Sequence, residues 1–154
     1  MNWGIRACHP LAIRHHRQDA IGLAFAEGRR DVPFDIARVY YLWGLQPGDR
    51  RGEHAHKALQ QVYICVNGVI DVVLQDDLGT QRVRLDQPDR GLYLGPMVWR
   101  HLEPQTPGAV LLVLASEVFA ESDYYRRQQD YLEAAAQLRR TEAGGPSGSP
   151  KVDP

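Results

Sequence analysis

The sequence predicts an all-β protein, a small barrel or sandwich of short strands followed by one C-terminal helix. Three observations carry this expectation. Short runs rich in β-branched and aromatic residues recur at roughly ten-residue spacing, as in sandwiches and barrels. The 14 glycines and 10 prolines lie mostly between those runs, where they act as turn residues. One stretch alone, Ser122–Arg140, repeats apolar residues at helical spacing.

The first strong run is Ile36–Trp43, closed by Gly44 and the turn Gln46-Pro47-Gly48-Asp49. Gln61–Val66 and Val69–Leu74 flank Asn67-Gly68, a pair that signals a two-residue hairpin. Asp76-Asp77-Leu78-Gly79 forms the next turn before Gln81–Leu85, and Gly91–Leu94, Val98–Leu102 and Val110–Ala115 complete the set. In the helical segment, Tyr124, Gln128, Tyr131, Ala135 and Leu138 share one face, read as packing surface, with Ser122 or Asp123 as N-cap. Residues 1–140 are expected to form one domain, and the Gly/Pro/Ser-rich residues 141–154 a flexible tail.

Length and charge narrow the function classes. A chain of 154 residues supports one sizeable core. Its 18 basic and 19 acidic residues leave a net charge of -1, which argues against a broad polyanion surface and hence against nucleic-acid binding. The apolar runs are too short to span a bilayer, and the N-terminal residues lack the apolar core of a signal peptide. Cys8 and Cys65 have no metal-like spacing, and Cys65 sits in an apolar run, as a buried thiol would. A cytoplasmic protein is expected.

The chemistry gathers around His54-Ala55-His56. On an extended strand two residues apart share a face, so both imidazoles project together. Gly48, His54, His56, Gln61 and Gly68 follow the spacing G-x5-H-x-H-x4-E-x6-G of the first cupin signature, with Gln61 in the place of the glutamate. Pro96, Val98, His101 and Gln105 echo its weaker second half. The two halves look like a cupin, a double-stranded β-helix or jelly-roll barrel with an internal ligand cavity. Three uses of the histidines stand open: a metal site of His54, His56 and His101, metal-free acid–base chemistry, or a structural hydrogen-bonded pair. Arg50, Arg51 and Lys57 flank the pair, and Arg38 and Arg100 add cations suited to a phosphate. Tyr40, Tyr41, Trp43, Tyr63, Tyr93 and Trp99 are candidate stacking surfaces.

Longer segments carry a more specific likeness. Arg38–Trp43, Arg51–Lys57, Gln61–Gly68, Gly91–Trp99, Leu112–Ser116 and Glu121–Tyr125 together resemble the sugar-nucleotide 3,4-ketoisomerases, the WxcM-like branch of the cupins, over about residues 5 to 135. The resemblance implies an isomerase acting on a dTDP-linked 4-keto-6-deoxy sugar, without metal or redox cofactor, in deoxysugar and polysaccharide biosynthesis. It implies His54 as base, His56 as the partner moving protons between sugar oxygens, and Tyr40 as a hydrogen-bonding group on the sugar. Arg38, Arg51, Lys57, Gln61, Trp99 and Arg100 are the implied substrate-binding residues. It also implies a homodimer that exchanges N-terminal strands. Two positions depart from the family pattern. Glu53 replaces an aromatic residue before the first histidine, and Gln18-Asp19-Ala20-Ile21 replaces a D-x-R-G segment, leaving Arg17 as a substitute for its arginine. A metal-dependent cupin enzyme and a non-catalytic nucleotide-sugar binder are the competing functions.

Overall fold

A computed structural model describes residues 5–143. It contains strands β1 (Cys8–Ala12), β2 (Arg14–Gln18), β3 (Ile21–Phe25), β4 (Arg38–Leu45), β5 (Arg51–His56) and β6 (Gln61–Asn67). They are followed by β7 (Ile70–Gln75), β8 (Thr80–Leu85), β9 (Arg90–Leu94), β10 (Trp99–Pro104) and β11 (Ala109–Ala115). A single 3-10 turn (Glu121–Asp123), the two-residue strand β12 (Tyr124–Tyr125) and helix α1 (Gln128–Ala143) end the described chain. Among the described residues no helix is long and apolar enough to cross a membrane.

Two five-stranded antiparallel sheets face each other, in the orders β1-β9-β6-β11-β4 and β12-β5-β10-β7-β8. From β4 to β7 each strand enters the sheet opposite its predecessor, the winding of a jelly-roll barrel. The predicted Asn67-Gly68 hairpin is therefore corrected. Strands β6 and β7 lie in different sheets, and the bend between them is tied to the 105–109 segment instead. Val69 N–H donates to Thr106 Oγ1 at 2.8 Å, and Asn67 Nδ2 donates to Gly108 O at 3.0 Å. A hairpin does form between β7 and β8, through the Asp76–Gly79 turn.

Packing falls into three layers. The barrel interior holds Tyr63, Cys65, Ile70, Val72, Leu74, Leu92, Leu94, Leu102, Leu111 and Val113, with Tyr40 and Leu42 at its edge. Each fully buried aliphatic side chain there contributes roughly 1.5–3 kcal/mol relative to exposure. Outside the first sheet, Val32 and Phe34 of the β3–β4 connection cover Val62, Ile64 and Leu114. Outside the second sheet, Tyr131 of α1 covers Ala55 and Trp99. The Tyr131 hydroxyl shares its single proton between the carbonyls of Gln75 and Met97, at 3.0 and 3.1 Å, which anchors the helix to the barrel.

The helix begins later than its periodicity suggested. Residues 121–125 instead form the 3-10 turn and β12, where Tyr124 and Tyr125 pair with His56 and Ala55. An open sheet edge offers these residues interstrand hydrogen bonds, and that tertiary pairing overrides local helical preference. The helix also extends to Ala143, so residues 141–143 are helical and the rest of the expected tail lies outside the described residues.

Gly68 holds φ at +79°, and a Cβ there would lie 2.4 Å from Thr106 Oγ1. Gly68→Ala is expected to destabilise the fold by at least about 1–2 kcal/mol from its left-handed backbone alone. An unchanged urea midpoint would contradict this account of the sheet-to-sheet bend.

Candidate active site

Strand alternation builds the site. On β5, His54 and His56 turn inward while Ala55 packs outward against Trp99 and Tyr131. Arg100 on β10 is the cross-strand partner of His54 and shares its inward face. Between Arg100 and Leu102 the β5–β10 register shifts at a β-bulge that includes Gly52, whose φ is +70°. A Cβ on Gly52 would lie 3.7 Å from His54 Cε1 and 4.0 Å from Nδ1, so this glycine borders one edge of the imidazole.

His54 Nε2 and His56 Nε2 are 3.1 Å apart, with the rings nearly perpendicular. His56 Nδ1 is 3.0 Å from Asp123 Oδ2. The Asp123 carboxylate also accepts the Ala58 N–H at 2.8 Å and the Leu59 N–H at 3.3 Å. His54 lines a cavity of about 320 Å³ with Arg38, Tyr40, Gly52, Tyr63, Tyr124 and Arg126. His56 lines a smaller one of about 190 Å³, which shares Arg38 and Tyr124 with the first and adds Asp123. On the opposite sheet, Gln61 Nε2 donates to the Tyr40 hydroxyl oxygen at 2.7 Å, and the Tyr63 hydroxyl donates to Gln61 Oε1 at 3.4 Å.

Burial dominates the electrostatics. It pushes the His54 pKa down to about 2 and that of His56 to about 3, with the positive charge of Arg100 as the next cause. Arg126 pushes both the same way. Burial also raises the Tyr40 hydroxyl well above the ordinary range, so it stays protonated as a donor. Arg100 is fully buried, and among the described residues none accepts a hydrogen bond from its Nε, Nη1 or Nη2. An unpartnered buried guanidinium is costly and suits an incoming anionic oxygen.

The structure brings together Arg38, Tyr40, His54, His56, Gln61 and Arg100, and separates three other expected binding residues. Trp99 lies on the outer face of β10 beneath α1, because it is one residue from inward-facing Arg100. Arg51 is exposed in a surface depression with Tyr41, Trp43 and Asp49. Lys57 is exposed, donating to the Ser122 carbonyl at 2.6 Å and lying 5.2 Å from the Tyr125 ring centre. The three-histidine metal set is not assembled: His101 is on the outer face of β10, bonded to Glu103 Oε1 at 2.9 Å. Glu53 stays outside the cavity and pairs with Arg50.

Three further residues shape the site: Asp123, Tyr124 and Arg126. The Tyr124 ring stands 4.3 Å from that of His56, and the Arg126 guanidinium lies 3.9 Å from the Tyr124 centroid. The Glu121–Tyr125 likeness covered Asp123 and Tyr124, which the helical reading took as an N-cap and a packing residue, and no sequence signal singled out Arg126.

A jelly-roll barrel with two neutral histidines and an unpartnered guanidinium facing its interior defines a cupin with an acid–base-capable ligand site. Residues 7–136 match the profile of the WxcM-like, C-terminal family (FdtA), and the chain belongs to that family. It is 38% identical over 122 residues to a TDP-4-oxo-6-deoxy-alpha-D-glucose-3,4-oxoisomerase of Aneurinibacillus thermoaerophilus, covering 79% of this chain and 88% of the relative. A mutant of the 3,4-ketoisomerase QdtA from Thermoanaerobacterium thermosaccharolyticum, solved with TDP-4-keto-6-deoxyglucose, superposes with a TM-score of 0.84 at 38% identity. That comparison covers 86% of this chain and 96% of the other. The WlaRB TDP-quinovose 3,4-ketoisomerase of Campylobacter jejuni superposes at 0.79 with 39% identity, covering 84% and 99% of the two chains.

The depressed imidazoles couple the site to stability. Below pH 6.5 the unfolded histidines take up protons that the folded pair refuses until about 3 and about 2. The unfolded chain therefore binds more protons in that window, and stability is lost as pH falls through it. Carboxylates such as Asp31, Asp71 and Glu103 are shifted below their ordinary values, so they titrate at the acid end. The urea midpoint is expected to fall between about pH 7 and pH 5, and His54→Asn to flatten that fall. A midpoint that rises over this interval would count against buried neutral imidazoles.

Proposed function

We propose that this isomerase interconverts a TDP-linked 4-keto-6-deoxyhexose and its 3-keto isomer through an enediol, with His54 as the base. The observation that carries the reading is the neutral His54–His56 pair on a cavity wall beside an unpartnered guanidinium. The sugar-nucleotide class comes from the relatives' substrates.

The C4 carbonyl acidifies the C3–H bond. His54 takes the C3 proton as the C3=C4 double bond forms and the C4 oxygen becomes anionic. The buried Arg100 charge and the Tyr40 hydroxyl proton stabilise that oxygen. The Tyr40 oxygen already accepts from Gln61, which leaves its proton free for the ligand. Loss of the O3 proton, protonation at O4 and proton return at C4 then leave a carbonyl at C3 and a hydroxyl at C4. Protons and electrons balance within the sugar, so the reaction consumes no external oxidant. His54 lines the larger cavity while His56 is bonded behind it, which favours His54 as base and routes His56 through His54. Arg38 and Arg126 line that cavity and are the cations available to the pyrophosphate.

Proton NMR of TDP-4-keto-6-deoxyglucose in deuterated buffer tests the reading. Wild type is expected to give a 3-keto product or deuterium at C3 and C4, and His54→Ala to lose both by at least about 10²-fold, as for removal of a general base. A silent wild-type spectrum with tight sugar-nucleotide binding would overturn it in favour of a binding module.

We read the assembly as a homodimer that exchanges N-terminal strands. Strands β2 and β3 pair only with each other among the described strands, and expose Ile21 and Leu23. Strand β4 ends its sheet and exposes Val39, Tyr41 and Trp43. These unpaired elements are open to strand exchange. The free thiols Cys8 and Cys65 and a sugar-nucleotide substrate support a cytoplasmic enzyme in this reading. Light scattering is expected to give twice the 17.4 kDa chain mass, and Ile21→Asp with Leu23→Asp to halve it. A monomeric wild type would refute the dimer.

A further inference from the structure

Three nitrogens in the His54–His56–Asp123 chain have their hydrogen-bonding roles constrained by neighbours. Asp123 receives backbone N–H groups on both carboxylate oxygens, Ala58 on Oδ1 at 2.8 Å and Leu59 on Oδ2 at 3.3 Å. Backbone amides can only donate, so the carboxylate acts as an acceptor at each oxygen. At 3.0 Å from Oδ2, His56 Nδ1 must then carry the proton and donate it. A neutral imidazole holds one N–H, so His56 Nε2 is bare and accepts. The facing His54 Nε2, 3.1 Å away, therefore holds the hydrogen of that contact. His54 Nδ1 is left with a free lone pair, on the ring edge beside Gly52, which lines the larger cavity with His54.

We propose that Asp123 is a positioning residue that sets the tautomers of both histidines and makes His54 Nδ1 the nitrogen that takes the substrate proton. The inference deepens the isomerase reading and rests on it for the identity of that proton. When Nδ1 takes a proton, His54 becomes an imidazolium whose Nε2–H can pass to His56 Nε2. The charge then rests on His56 against the Asp123 carboxylate, away from Arg100 on the neighbouring strand. Return of the proton along the same two nitrogens restores His54 as donor for the final step. No bond other than N–H changes in this relay, and no external acid is consumed.

The two backbone donors also make Asp123→Asn informative. Ala58 N–H, the shorter backbone contact at 2.8 Å against 3.3 Å for Leu59, holds the amide oxygen at the Oδ1 position, which turns the NH2 group toward His56 Nδ1 and gives up the longer Leu59 contact. That nitrogen must then accept, its proton moves to Nε2, and His54 in turn carries its proton on Nδ1. The base nitrogen is blocked although both rings keep their places.

The test is long-range 1H–15N spectroscopy of histidine-labelled protein, alongside steady-state turnover of TDP-4-keto-6-deoxyglucose. Wild type is expected to show Nδ1–H for His56 and Nε2–H for His54. In Asp123→Asn both assignments interchange, and kcat falls by about 10²- to 10⁴-fold, the range seen when a triad carboxylate that orients a histidine is neutralised. KM stays within about threefold, because Asp123 does not line the larger cavity where substrate is placed. Asp123→Glu, which keeps the acceptor, is expected to restore the wild-type tautomers and part of kcat. A wild-type His56 with Nε2–H overturns the proposal without any variant, so it stands or falls even if Asp123→Asn does not fold. Full kcat in Asp123→Asn, or lost kcat with unchanged tautomers, overturns it too. Wild-type protein that shows the expected tautomers but never turns over the sugar would sink the isomerase reading and leave the tautomer assignment intact.

Discussion

The two-residue repeat of a β-strand is the constraint on which the site depends, because one step along β5 or β10 exchanges cavity for exterior. His54 and His56 share the inner face only because Ala55 lies between them and faces the opposite way. The same rule makes Arg100 an inward residue and commits Trp99 and His101 to the exterior. Outer residues then set how firmly the inner ones are held. Tyr131 seals Ala55 and Trp99 and is hydrogen-bonded to two barrel carbonyls, so the C-terminal helix braces the strands that carry His54 and Arg100.

Burial then decides the chemistry those inward groups can perform. In water both histidines would titrate near the ordinary imidazole value of about 6.5, and the guanidinium would be hydrated. Inside the barrel, desolvation keeps both imidazoles neutral, and Arg100 strengthens that preference. At the other end of the pair, the Asp123 carboxylate lies 3.0 Å from His56 Nδ1. The pair is thus flanked by the guanidinium of Arg100 opposite His54 and a carboxylate behind His56. Residues 121–125 reach this position by adding a strand to β5, so a sheet edge left open by the barrel brings Asp123 to His56.

Much of this was legible in the chain because strand periodicity and turn residues act locally. The runs beginning at Ile36, Gln61, Val69, Gln81, Gly91, Val98 and Val110 each correspond to a strand within a few residues. His54 and His56 were placed on one face by spacing alone. What the chain concealed depends on distant partners. Asn67-Gly68 has local hairpin chemistry, yet its neighbours belong to the 105–109 segment, and a turn motif carries no record of which sheet follows. Tyr124 fits a helical stripe by spacing but lies against β5, a partner nearly 70 positions away. Arg51 and Lys57 flank the histidines in sequence and still stay outside, since adjacency along a strand separates side chains as often as it joins them.

Gln61 shows how one amide can change the purpose of a shared barrel position. The metal-binding cupin pattern has glutamate there, a negative charge with lone pairs directed at a cation. The amide instead has both ends engaged inside the protein, Nε2 on Tyr40 and Oε1 beneath the Tyr63 hydroxyl. With His101 on the far face, the position no longer completes a converging ligand set. Its hydrogen bond occupies the Tyr40 oxygen as an acceptor and leaves the phenolic proton uncommitted to Gln61. Burial raises that phenol, so the proton is held firmly enough to stabilise an anionic oxygen without being surrendered to it. The site therefore holds two groups that differ in kind, the fixed charge of Arg100 beside His54 on the same sheet and the neutral hydroxyl of Tyr40 on the opposite sheet. This arrangement suits moving a carbonyl between adjacent carbons, where charge appears on oxygen and disappears within the same bound sugar.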